Sequence, residues 1–212
     1  MTTTEPAGSD LQATAGGDRR RAVLLLAATA MLVLLADAGT KHLALTTLEG
    51  RGPVRLLGGA VYLSLTRNSG AAFSLGSGHT WVFPIITLAV VGWIAWMALR
   101  LRSLPWAVAL GLVLGGALGN LADRIFRAPG TFVGHVIDMV SVFGPHGQYF
   151  PVFNLADSAL VCGVALAVLL ELTGRQRDGR RIGREHRDPA APGAGSAGST
   201  GSTGTGSTGS TG

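Results

Sequence analysis

The chain has 212 residues, of which 47% are apolar and only 14% charged, an imbalance that falls outside the ordinary soluble range and points to a membrane protein. The net charge of +5 comes with no basic stripe interleaved with aromatics, which argues against nucleic-acid binding and leaves the basic residues to act as topology determinants at segment ends. The single cysteine, Cys162, lies in an apolar run and excludes both a disulfide framework and a cysteine-based zinc site.

In chain order, residues 1–18 are rich in Thr, Gly, Ala and acids, lack periodicity, and read as a disordered leader. Arg19, Arg20 and Arg21 precede an apolar run from Ala22 to Lys41, too long for a cleaved signal. Twenty residues at 1.5 Å rise reach about 30 Å, the thickness of the hydrocarbon layer, so this run is expected to be a spanning helix. Further runs from Trp81 to Leu99, Pro105 to Leu121 and Val152 to Leu172 have similar length and bring the expected number of spans to four. An even number places both termini on one side. Arg19 to Arg21, Arg100, Arg102 and the arginines from Arg175 to Arg187 then share that side, which the positive-inside rule makes cytoplasmic.

The loops 42–80 and 124–151 accordingly lie outside, with Asp37, Asp123, Asp138 and Asp157 at the outer boundary. In the first of these loops Val61, Leu63 and Leu65 alternate with Tyr62, Ser64 and Thr66 between glycines, which predicts a small sheet on the membrane surface. In the third run Gly111, Gly115 and Gly119 recur every four residues, so one helical face invites close approach by a neighbour. The segment 19–174 is therefore read as one four-helix domain. It is followed by a basic stretch and a Gly/Ser/Thr-rich tail over 175–212 that cannot bury a core.

Chemistry concentrates between Asn120 and Asp157. Asn120, Asp123 and Arg124 are spaced i, i+3 and i+4 at one helix end, and Asn154, Asp157 and Ser158 repeat that spacing at the start of the next. The two polar faces can meet, with Asp138 arriving from the connecting loop. Two carboxylates within a few ångströms cannot both ionise at neutral pH, so a pair would share a proton. One can then take a proton from water while the other protonates or polarises an amide carbonyl, the aspartic-protease pattern. Blander roles compete at other positions. Asp37 and Lys41 fit an i, i+4 ion pair, Asn68 a turn residue, and Asp123 with Arg124 a salt bridge or a contact with lipid phosphate. His42, His79, His135 and His146 read as surface histidines without metal spacing, and Trp81, Trp93, Trp96 and Trp106 as interfacial belt residues.

Five strings, DAGTK at 37–41, NSGAAFS at 68–74, GNLADR at 119–124, VID at 136–138 and FNLADS at 153–158, resemble bacterial lipoprotein signal peptidase (signal peptidase II) in content and order. The resemblance covers residues 20–174. It implies a four-span aspartic endopeptidase of the bacterial cell membrane with a small extracytoplasmic sheet. Such an enzyme removes the signal peptide from diacylglyceryl-modified prolipoproteins before the lipidated cysteine. It further implies Asp138 and Asp157 as the catalytic dyad, with Asp37, Lys41, Asn68, Gly119, Asn120, Asp123, Arg124 and Asn154 as substrate-binding or supporting residues. Neither a metal nor an organic cofactor is expected; the partners are the lipidated substrates and membrane lipids. Met139 replaces a common aromatic and Ala122 a larger aliphatic, both apolar for apolar. Competing classes are a small transporter or proton channel, which needs acids near the midplane, a presenilin-like protease, for which no GxGD string is present, and a non-enzymatic scaffold.

Overall fold

The computed structural model describes residues 7–70 and 82–180, with side chains from Gly17 onward. Residues 71–74 of the NSGAAFS string, His79, Trp81 and the Gly/Ser/Thr-rich tail lie outside the described residues.

Four helices and a three-stranded antiparallel sheet make up the described chain. They are α1 (Ala7–Leu48), β1 (Val54–Leu56), β2 (Val61–Asn68), α2 (Val82–Ala98), α3 (Leu104–Phe126), β3 (Val136–Val142) and α4 (Leu155–Leu172). α1, α3 and α4 are long and apolar enough to cross a membrane, while the apolar α2, at 17 residues, is shorter. The molecule is thus a largely helical, multi-pass membrane protein carrying a small sheet.

Helix ends differ from the expected runs in ways that matter for the site. α1 extends beyond its apolar core at both ends, starting at Ala7 rather than Ala22 and running past Lys41 to Leu48 before Gly50 turns the chain at φ 72°. The additional outer turns carry Ala44 and Leu48, which bury against Ile137 and Met139 of β3. α3 likewise continues past Leu121 to Phe126, so Asn120, Asp123 and Arg124 lie in its last two turns, at the outer helix end where their spacing placed them. Pro105 occupies its first turn, where the missing N–H costs nothing. α4 starts at Leu155 because Asn154 caps it. The Asn154 side chain accepts from the Asp157 amide, and the Asp157 side chain accepts from the Asn154 amide, a reciprocal capping box.

α3 is the central helix, buried along most of its length. Its glycines explain why. Gly111 and Gly115 face the backbone carbonyls of Leu26 and Ala30 in α1, where a Cβ would stand only 2.8 and 2.7 Å away, and Gly119 faces the Asp37 side chain. The expected face of close approach is therefore the α1–α3 contact. On the far side of α3, Gly116 does the same for Ala156 and Leu160 of α4. At the end opposite the sheet, Ile94, Met97, Leu101, Trp106 and Leu170 close a second core, with Trp106 Nε1 donating to Arg175 O at 2.8 Å.

The sheet has the order β1-β2-β3. The alternating Val61–Thr66 stretch forms β2 as expected. Two further strands come from segments read as loop. Asp138 in particular lies on β3 and not in a connecting loop, opposite Thr66 of β2. The β-branched run around it, Val136, Ile137, Val140 and Val142, suits a pleated and buried strand. A bulge in β2 between Leu63 and Thr66 shifts the register just before that pair.

Candidate active site

Several elements deliver the side chains of the site. β3 supplies Asp138, 2% exposed; α3 supplies Asn120; the first turn and cap of α4 supply Asp157 and Asn154. Asp138 accepts two hydrogen bonds, from Asn68 Nδ2 at 3.0 Å and from Asn154 Nδ2 at 2.7 Å. Asp157 accepts from Asn120 Nδ2 at 2.8 Å and from the Asn154 amide at 3.1 Å. Asn154 Nδ2 also reaches Asn120 Oδ1 at 3.1 Å. The fully buried Asn154 therefore couples both carboxylates, and the two polar helix faces meet as their spacing predicts.

Burial governs the protonation of Asp138. Loss of hydration pushes its carboxyl up to about 7 against the lowering influence of the Asn68 hydrogen bond; the nearby Asp157 charge adds to the rise, and Asn154 and Lys41 offset part of it.

Beneath the pair lies a buried ionic layer. Lys41, 1% exposed, bridges Asp37 at 2.6 Å and Asp123 at 2.9 Å and donates to Asn120 Oδ1 at 3.1 Å. Asp37 accepts from the Ala156 amide at 3.0 Å, which ties α1 to the start of α4. Asp123 also accepts from the Ile137 amide at 3.1 Å and pairs with Arg127. The i, i+4 pair of Asp37 and Lys41 is thus real, but it is interior and three-membered. No Asp123–Arg124 bridge accompanies it. Arg124 instead donates to the carbonyls of Asn68, Ser69 and Gly134 at 3.0–3.1 Å and of Gly70 at 2.6 Å, while its guanidinium stands 5.3 Å from the Phe83 ring centre. By fastening residues 68–70 it fixes Asn68 against Asp138, and Asn68 Oδ1 in turn accepts from the Gly70 amide at 3.0 Å, so Asn68 serves both the turn and the carboxylate. Two contributors went unrecognised in the sequence. Arg127 has the i+4 spacing to Asp123 that could have shown it, whereas Phe83 carries no local signal.

Both aspartates line a cavity of about 720 Å³. Its polar end holds Asn68, Asn120, Arg124 and the two aspartates; its apolar length is walled by Phe83, Ile86 and Val90 of α2, Leu160 and Val161 of α4, and Phe150 to Phe153 from the β3–α4 connection. An apolar trough ending on a carboxylate pair suits a greasy, extended ligand with one reactive polar group. No group of three or more His, Cys, Asp or Glu side chains with metal-holding geometry occurs among the described residues.

Residues 29–173 match the family described as signal peptidase (SPase) II. The chain belongs to that family. Similar chains, each described as lipoprotein signal peptidase, occur in Rhodococcus jostii, 51% identical over 76% of this chain and 79% of the relative, and in Streptomyces coelicolor, 49% identical over 77% and 76%. One from Mycobacterium tuberculosis is 45% identical over 89% of both. Two solved structures described as bacterial membrane enzymes determined by the in meso method superpose with TM-scores of 0.59 and 0.58. They are 29% and 30% identical to this chain, covering 72% of it in each case and 87% and 92% of their own lengths. As a member of the signal peptidase II family the protein is a multi-pass membrane protease.

Proposed function

We propose that this peptidase removes the signal peptide from diacylglyceryl-modified prolipoproteins, cutting before the lipidated cysteine with Asp138 and Asp157 as the catalytic dyad. The observation that carries the reading is the joint suspension of both carboxylates from Asn154 at the polar end of the apolar cavity. A water between them would lose a proton to the ionised carboxylate while the protonated one donates to the scissile carbonyl oxygen. Return of the protons collapses the tetrahedral diol, protonates the departing amine and breaks the C–N bond. The apolar trough would receive the signal helix and acyl chains from the bilayer.

α2 completes four spans in this reading, both termini are cytoplasmic, and the dyad faces the extracytoplasmic side of the bacterial inner membrane. Support comes from the arginines on the turns between α2 and α3 and after α4, at the end of the bundle away from the sheet.

The pH dependence tests the shared proton. A carboxyl raised to about 7 is protonated below that value and ionised above it, so turnover should fall about tenfold per pH unit once pH exceeds about 7. The stability sign agrees: the folded state holds this proton more tightly than the unfolded chain, so Asp138's contribution is full below the unfolded carboxyl value and is lost as pH rises through about 7. A turnover profile in detergent that stays flat from pH 6 to 9 would contradict the shared-proton mechanism.

A further inference from the structure

The β3–α4 connection forms one wall of the cavity, and its anchoring is unusual. It leaves β3 after Val142 and returns to pair Phe153 with Val140, each amide donating to the other's carbonyl at 2.9 Å. Inside this closed loop Ser141 Oγ donates to Gly144 O at 2.6 Å and accepts from the Gly147 amide at 2.9 Å. One side chain ties the loop to β2 as well: His146 Nδ1 lies 2.7 Å from Ser64 Oγ. Ser64 is 1% exposed and sits in the β2 bulge, the kind of irregularity that re-aims a side chain beside a site. His146 holds a left-handed backbone, φ 54° and ψ 29°, in the 3-10 turn Pro145–Gly147; a side chain rarely adopts that conformation unless its surroundings enforce it. Phe150, Pro151, Val152 and Phe153, the cavity wall, follow directly.

We propose that the Ser64–His146 pair is a latch that positions the Phe150–Phe153 wall of the cavity, making His146 a positioning residue for substrate binding. This inference rests on the assignment of the cavity as the substrate site. The dyad itself is held independently, through Asn68, Asn120 and Asn154. Loosening the wall therefore weakens capture of substrate and leaves the chemical step nearly intact, the signature of lost uniform binding.

The test uses the full-length enzyme in detergent with a lipid-modified precursor. His146→Gly keeps the left-handed backbone and deletes the latch; His146→Asn tolerates the same backbone and places a polar δ atom where Nδ1 stood. The glycine variant should raise KM about tenfold with kcat within about twofold, and should speed amide hydrogen exchange over residues 143–152. The asparagine variant should recover most of both. A wild-type KM in His146→Gly, or an asparagine variant as impaired as the glycine one, overturns the latch. So does a loss confined to kcat and thermal midpoint, which marks a merely structural role. Failure of the dyad assignment looks different: cleavage would persist in Asp138→Asn or Asp157→Asn, whatever His146 does.

Discussion

Asp138→Asn and Asp157→Asn should each yield a folded protein that leaves lipidated precursor uncut, with turnover reduced about 10³-fold or more, the loss expected if each is one member of a cooperating catalytic unit. Asparagine is nearly isosteric with aspartate, and each carboxylate keeps at least one amide partner after the change, so the loss reports chemistry more than packing. For Asp157 the capping role complicates matters, because its side chain accepts from the Asn154 amide. Asparagine retains an oxygen for that bond. A thermal midpoint in detergent close to wild type, measured beside the cleavage assay, separates the two effects. Cleavage at near wild-type rate in either variant removes that residue from the dyad.

Lys41→Met has the largest expected effect on stability. The ammonium is all but sealed from solvent between two carboxylates, and its removal leaves the Asp37 carboxylate with the Ala156 amide as its hydrogen-bond donor among the described residues, whereas Asp123 keeps Arg127 and the Ile137 amide. Breaking a buried pair by deleting one partner costs about 3–5 kcal/mol, because the other charge stays buried without compensation. The variant should show a strongly lowered unfolding midpoint in detergent or fail to accumulate. Adding Asp37→Asn removes the orphaned charge and should restore part of the loss; the double variant being no better than Lys41→Met would show that Asp37 is not the source. The layer also bears on catalysis, since Lys41 donates to Asn120, whose amide holds Asp157. Residual Lys41→Met enzyme should therefore turn over slowly even where it folds.

How much of this was legible beforehand varies with the range of the interaction. The pairing of Asn120 with Asp157 follows from i, i+3 spacing at two facing helix ends, and the Asp37–Lys41 bridge from i, i+4 spacing, both local periodicities. The glycine face of α3 was readable for the same reason, although that its neighbour is α1 was not. The strand that carries Asp138 was not readable, because seven residues without clear alternation become a strand only through pairing with β2 some seventy positions earlier. The extension of α1 past Lys41 is likewise decided by burial of Ala44 and Leu48 under that strand rather than by their own hydropathy. Arg124 shows the same limit. Its helix position suggested an acidic neighbour, but its donors are taken up by three carbonyls of residues 68–70, more than fifty positions earlier, and by that of Gly134 in the following loop. His146, which the sequence offered as a surface histidine, is indeed exposed, yet its ring is engaged by a buried serine 82 positions away.

The cavity's combination of a long apolar wall and a carboxylate pair makes one comparison decisive: cleavage of a diacylglyceryl-modified precursor against the same precursor without lipid, by the wild-type enzyme in one detergent, with the product N-terminus identified. Rapid release of the signal peptide before the modified cysteine, and little or none from the unmodified chain, is the predicted result. Equal cleavage of both precursors, or cleavage at another bond, would contradict it.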